Sequence, residues 1–216
     1  MHYDEQKKFF ETAYKTGTDI WTDKHYHSKV FEYLAKIPQG SMVLDLGTGR
    51  GRWPFAMVEL GMKVIGVDYI KHLIKINNQE AKAKNMQGKI RFVEGDVFDI
   101  AFADGTFDAV TDFGLLQHMR REDWPKYGGE VSRVLRSGGY VISVAYSRET
   151  PKFFEFVPGD SNDGDFEKYG VHYHFFTEPE LLDAYRYDFK ILKQETIPIE
   201  KYNETHHFSP LQKNYC

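Results

Sequence analysis

The 216-residue chain holds a single cysteine, Cys216, at its last position. One thiol makes neither a disulfide framework nor a Cys-rich metal centre, and no metal is expected. No stretch approaches 18 uncharged apolar residues, so no membrane-spanning segment is expected. The opening residues, MHYDEQKKFF, mix both charges and lack the apolar core of a secretory leader. Surplus positive charge is missing as well: 28 Lys and Arg stand against 32 Asp and Glu, a net charge of −4. Such a chain has no excess with which to follow a phosphate backbone, and nucleic acid is not expected as a partner. Internal repeats, low-complexity tracts and linker-like runs are absent too. The expectation is a soluble, cytoplasmic chain, monomer or homodimer. Its 41% hydrophobic content is enough for one sizeable core.

What is present has a rhythm. Met42 to Leu46, Lys63 to Asp68, Lys89 to Val93, Phe107 to Phe113 and Tyr140 to Tyr146 are short apolar runs that read as strands. Helical segments fall between them: one to about Leu60, closed by Gly61 as a C′ glycine; Ile70 to Lys84, with Ile70, Leu73, Ile74 and Asn77 at helical spacing; and Glu122 to Leu135, with Pro125 in its first turn. Strands alternating with helices of this length predict an α/β fold, a mostly parallel sheet covered on both faces. After residue 146 the rhythm breaks into an irregular stretch, 147–176. Thr177 and Glu180 then form a capping box that opens a last helix. Lys190 to Ile199 and His207 to Tyr215 are close enough in sequence to pair as an antiparallel hairpin. The expected organisation is a single domain: a helical cap over 1–40, a core over 41–146, an insert or lid over 147–176, and the final helix and strands over 177–216.

Asp45-Leu46-Gly47-Thr48-Gly49-Arg50-Gly51 follows the first strand and opens a helix. Glycines at such a corner let the backbone turn tightly and approach a ligand, with helix N–H groups facing it. The dinucleotide fingerprint G-x-G-x-x-G needs a glycine at position 52, which is Arg52. A nicotinamide-dependent oxidoreductase is therefore the weaker of two enzyme readings. Asp68 ends the second strand, where a carboxylate accepts hydrogen bonds from ribose hydroxyls. Asp96 lies just past the third strand at the same sheet edge. The plainer alternative is a strand–helix corner with two strand-end turn residues.

In these residues the chain resembles the class I S-adenosylmethionine-dependent methyltransferases. VLDLGTGRG (43–51), VIGVD (64–68), VEGDVF (93–98), FDAVTDFGLLQHM (107–119) and LRSGGY (135–140) carry the resemblance, in family order, from Val43 to Ala145. It implies a doubly wound, Rossmann-like sheet of seven strands ending in an antiparallel hairpin. It implies S-adenosyl-L-methionine as cofactor. Gly47, Thr48, Gly49 and Gly51 would line its methionine end, and Asp45 would bind its amino group. Asp68 would hold the ribose, Tyr69 would cover the adenine, Asp96 and the Val97 main chain would meet the adenine edge, and Phe113 would pack beside the methionine part. Members that methylate base amines or a glutamine amide carry Pro-Pro-aromatic after strand four; here the residues are Asp112-Phe113-Gly114-Leu115. A small-molecule methyl acceptor is the better expectation. A protein or RNA methyltransferase, and a non-catalytic adenosyl-binding module, are the alternatives.

Methyl transfer from an activated donor can run on proximity and orientation, and needs a base only when the acceptor must lose a proton. His118, just past strand four, is the candidate base, with a solvated or framing histidine as the alternative. His172 and His174 are candidate substrate contacts; as a metal pair they lack a third ligand. The acids Glu155, Asp160, Asp163, Asp165 and Glu167, with no Lys or Arg among them, read either as a solvated loop or as a lid that draws a cationic substrate. Half of the aromatics fall in residues 1–40 and 146–176, a third of the chain. The cap (Phe9, Phe10, Tyr14, Trp21) and the insert (Tyr146, Phe153, Phe154, Tyr173, Phe175) would then close an apolar pocket for an acceptor with apolar or cationic surface.

Overall fold

Each apolar run between residues 42 and 146 is too short for a buried helix, and each becomes a strand. The computed structural model describes residues 3–19, 21–22, 28–150, 163–185, 189–193, 195–199 and 204–214. Strands β1 (Met42–Leu46), β2 (Lys63–Asp68), β3 (Ile90–Glu94), β4 (Phe107–Phe113) and β5 (Leu135–Tyr146) lie parallel in the order β3-β2-β1-β4-β5. The chain reaches them through α3 (Arg52–Glu59), α4 (Lys71–Ala83) and α5 (Trp124–Val134), after α1 (Asp4–Thr16) and α2 (Ser28–Leu34). The order reverses between β1 and β4, and the crevice at their carboxyl ends is where such sheets bind ligands.

Neighbouring strand residues point to opposite faces. Val43 and Ala109 therefore join Phe55, Met57, Val58 and Ala81 of α3 and α4 on one face. Leu44, Leu46 and Val110 join Tyr127, Val131 and Val134 of α5 on the other. β1 and β4 are buried on both faces, and their inner polar residues Asp45, Thr111 and Asp112 are buried with hydrogen-bond partners. Gly61 ends α3 with φ 92°, and Met62 N–H bonds back to the Met57 carbonyl at 3.1 Å, a Schellman closure.

Past β5 the chain holds a two-stranded hairpin, β6 (Asp165–Lys168) and β7 (Val171–His174). Its two-residue turn, Tyr169-Gly170, has φ 57° and 73°, the sign that twisted hairpins require. Helix α6 (Glu178–Asp183) starts at the expected capping box, with Thr177 N–H on Glu180 Oε2 at 2.8 Å. The final strand, β10 (Glu204–Lys213), runs antiparallel to β5. The expected single strand over 190–199 is two pieces, β8 (Phe189–Ile191) and β9 (Glu195–Ile199). Both pair with β10, Ile191 opposite Leu211 and Glu195 opposite Phe208. They occupy one lane, so the eight-stranded sheet has seven lanes. Of the acidic stretch, Glu155 and Asp160 lie outside the described residues, as do Phe153 and Phe154. Among the described residues no helix is long and apolar enough to cross a membrane.

Candidate functional site

At the carboxyl ends of β1, β2, β3, β4 and β5 the structure opens a cavity of about 840 Å³. That is the upper part of the range for small-ligand sites. Asp45, Gly47, Thr48, Gly49, Asp68, Tyr69, Asp96, Val97 and Phe113 all line it. So do His118, Tyr14, Trp21 and Tyr146.

The glycine loop is shaped by its neighbours. Gly49 has φ 52°, and a Cβ there would stand 2.8 Å from the Tyr14 hydroxyl. Gly51 does not line the cavity. It is the N-cap of α3 with φ 71°, and a Cβ would strike the Phe92 ring at 2.7 Å. Its requirement is close packing of loop on strand. Asn77 explains the loop's rigidity: its Nδ2 donates to the Gly49 carbonyl at 2.7 Å, and the residue is 1% exposed. Its place on the apolar stripe of α4 was visible in the sequence as a polar residue at a core position.

Three carboxylates converge under the loop. Asp68 takes Gly49 N–H on one oxygen at 2.9 Å and Ile70 N–H on the other at 3.0 Å. Burial pushes its carboxyl up to about 6, against those main-chain donors. Asp45 takes the Thr111 hydroxyl at 2.7 Å, and burial carries it to about 7. Asp112 is raised by burial too, against Tyr127 and the Leu115 and Leu116 amides. It gathers Tyr127 OH and Leu115 N–H, each at 2.8 Å, and so shapes the turn that presents Gln117 and His118. Asp96 is exposed, with Phe98 N–H on its Oδ1 at 2.8 Å.

The cap is fastened to the loop by arginines that the glycine motif did not single out. Arg50 grips Asp19 through two bonds of 2.6 Å and the Tyr14 carbonyl at 2.9 Å. Burial opposes the Asp19 charge, but Arg50 and Thr22 outweigh it and hold its carboxyl below the usual range. Arg52 reaches the Thr22 carbonyl at 3.0 Å. Trp21 Nε1 donates to the Tyr14 hydroxyl at 3.0 Å, and burial keeps that hydroxyl protonated by raising it far above its ordinary value.

His172 and His174 do not reach the cavity. Along β7 alternate side chains face opposite ways, so Tyr173 lines the cavity while both histidines turn to Asp165, at 3.3 and 2.7 Å. Arg121 completes that cluster at 2.8 Å from Asp165. Burial works against the Asp165 charge, yet the histidines and Arg121 hold it well below the carboxylate range. Glu167 pairs with Arg120. The described acids of the stretch are thus engaged within the protein. Among the described residues no cluster of three His, Cys, Asp or Glu suits a metal.

Over β4, β5 and β10 the cavity wall is aromatic: Phe113, Tyr146, His206, Trp53, Tyr173 and Trp21. Trp53 lies 4.3 Å from Phe113, and Tyr146 lies 5.1 Å from His206. The carboxylates among the described lining residues are Asp45, Asp68, Glu94 and Asp96 at the ends of β1, β2 and β3, Asp4 on α1, and Asp123, which takes the Tyr3 hydroxyl.

A family model described as a methyltransferase domain matches residues 43–139. The demethylmenaquinone methyltransferase of Thermus thermophilus is 34% identical over 116 residues, 52% of this chain and 50% of that enzyme. The chain thus spans about half the length of that relative. A protein-lysine N-methyltransferase of Saccharomyces cerevisiae is 27% identical over 73% of this chain and 76% of its own length. Among solved structures, 1,6-didemethyltoxoflavin-N1-methyltransferase of Burkholderia thailandensis, with 1,6-didemethyltoxoflavin and S-adenosylhomocysteine bound, superposes with a TM-score of 0.80. It covers 97% of this chain and 87% of its own at 24% identity, a likeness of fold.

Proposed function

We propose that the chain is a class I S-adenosylmethionine-dependent methyltransferase, a reading that the methyltransferase-domain match over residues 43–139 supports, and that it methylates a small, flat, uncharged acceptor. The observation that carries the reading is Asp68. A buried carboxylate at the end of β2 takes main-chain N–H groups of Gly49, Ile70 and Tyr69, and it keeps acceptor capacity toward the cavity for ligand hydroxyls. The cradle suits S-adenosylmethionine. Asp68 holds the ribose, Tyr69 and Val97 cover the adenine, and Asp96 accepts from its amino group. Asp45 receives the amino group of the methionine part, with Gly47, Thr48, Gly49 and Phe113 around it. When bound, the cofactor supplies a methyl group already activated on a sulfonium.

The residues of the chain then have three tasks. The glycine loop and β4 orient donor and acceptor, which is the larger share of catalysis for such a step. The cap helix and Tyr173 exclude water. His118 takes a proton where the acceptor carries an N–H or O–H. The aromatic wall and the absence of carboxylates beside it, among the described residues, support a planar acceptor rather than an ammonium ion.

The match to the yeast protein-lysine methyltransferase, which extends over 73% of this chain, favours a protein acceptor as the second reading. Calorimetry with S-adenosylhomocysteine and NADH comes first; preferred NADH binding would overturn the assignment. Acceptor screening by release of S-adenosylhomocysteine, with heteroaromatic N–H and O–H compounds against lysine-bearing peptides and proteins, then separates the two acceptors. Turnover confined to lysine would sink the small-molecule reading.

A further inference from the structure

A neutral imidazole carries one N–H, and only the other nitrogen can take a proton. His118 sits in the 3-10 turn Leu116–His118, with its Nδ1 2.9 Å from the His172 carbonyl oxygen. A carbonyl only accepts, so Nδ1 carries the hydrogen and Nε2 the lone pair. Gln117 agrees with that assignment. Its Oε1 accepts Tyr146 N–H at 3.0 Å, which makes the other amide atom a donor, 3.4 Å from His118 Nε2.

His172 is held at its N–H as well, on the same edge of β7 as its carbonyl. Its N–H donates to Gln6 Oε1 at 3.0 Å, and Gln6 Nε2 donates to the His118 main-chain carbonyl at 3.1 Å. Both partners are main-chain groups of fixed polarity, so the amide of Gln6 has one orientation. Gln6 is 7% exposed and sits on α1. One side chain of the cap therefore ties the turn after β4 to the hairpin strand β7. The His118 ring, clamped edge-on by Phe10 at 5.2 Å and Tyr173 at 4.9 Å, closes the loop of contacts.

We propose that Gln6 is a positioning residue: acting on the His172 N–H and on the His118 carbonyl, it fixes the His172 main chain against the His118 ring and holds His118 in the Nδ1–H form, so that the base is assembled only when α1 is docked. What the lone pair is for rests on the methyl-transfer reading. The acceptor N–H or O–H proton goes to His118 Nε2 while the acceptor atom bonds the methyl carbon. The broken C–S bond leaves its electron pair on sulfur, and His118 returns the proton to solvent. The tautomer does not depend on that reading.

Long-range proton–nitrogen NMR of the full chain, with nitrogen-15 histidine, reads the ring directly. It is run without cofactor at about pH 8, above the ordinary imidazole value of about 6.5. His118 is assigned by its loss in His118→Asn. The wild type shows Nδ1 protonated and Nε2 bare. Gln6→Ala shows a mixture of tautomers while S-adenosylhomocysteine affinity stays within about twofold. With an acceptor from the screen, its kcat falls about tenfold or more at unchanged cofactor KM. Gln6→Glu keeps the acceptor for His172 N–H, lacks the donor for His118, and shows a partial mixture. An Nε2–H ring in the wild type overturns the proposal. So does an unchanged ring in Gln6→Ala that still binds S-adenosylhomocysteine, or in Gln6→Glu if Gln6→Ala does not fold. A wild type that has the Nδ1–H ring but binds no S-adenosylhomocysteine removes the function and supports the positioning.

Discussion

In the proposed role Asp68 is buried to shape the loop and ionised to hold a diol, and the two demands pull its carboxyl in opposite directions. Burial raises it from 3.8 to about 6 in the free protein. Hydroxyl donors favour the carboxylate, so binding selects the ionised form. Cofactor affinity should be full well above pH 6 and fall as pH drops through it, while the raised carboxyl stabilises the free fold fully below about pH 3.8, a contribution lost as pH rises through 6. Calorimetry across this range should show that slope. Asp68→Asn keeps the shape and loses charge-assisted bonds, for a loss of about 1.5–3 kcal/mol, or roughly 10–100-fold in affinity. Wild-type affinity in Asp68→Asn would refute the role. Gly49 is constrained differently. Gly49→Ala forces a side chain at φ 52° and onto the Tyr14 hydroxyl. Its denaturant midpoint should show about 1–3 kcal/mol of lost stability.

The cap helix α1 makes few core contacts of its own; Ala13 and Gln6 are its buried residues. It is held instead by polar ties: Arg50 to Asp19, Tyr3 OH to Asp123 at 2.6 Å, and Gln6 to the hairpin. Asp19 is nearly inaccessible, so Asp19→Ala leaves Arg50 with its strongest partner removed. The expected outcome is faster amide exchange over Asp4–Thr16 and a raised acceptor KM, with cofactor affinity little changed. Unchanged exchange there would mean that the cap is anchored elsewhere. Hairpin β6–β7 was legible only in hindsight. Its turn, Tyr169-Gly170, places a tyrosine at positive φ, which is uncommon. Tyr173 was expected at the pocket and lines it, but nothing in residues 163–176 announces that the flanking histidines turn away, because the register of a two-stranded piece is set by what it packs on.

The molecule as a whole joins an apolar-packed half and a polar-tied half. The five parallel strands, with helices on both faces, hold the cradle; the cap and hairpin close over it. A ligand that bridges the halves stabilises the folded state by mass action. S-adenosylhomocysteine at 100 times its Kd should add about 2.7 kcal/mol, a rise in Tm of roughly 5–10 °C for a chain of this size. A scan with no shift would count against binding in the cavity.

Residue order along the chain was enough for the parallel core, the glycine corner, the capping box and the acids at the strand ends. Apolar periodicity, turn glycines and caps act between neighbours, so local order encodes them. The division of 190–199 into β8 and β9, the arginine clamps Arg50 and Arg52, the anchor Asn77, and the turning away of His172 and His174 were decided in the folded chain. Each depends on a partner far off in sequence: Asp19 for Arg50, Gly49 for Asn77, Asp165 for the histidines. A side chain's chemistry is written where it stands, but what it faces is set when distant segments meet.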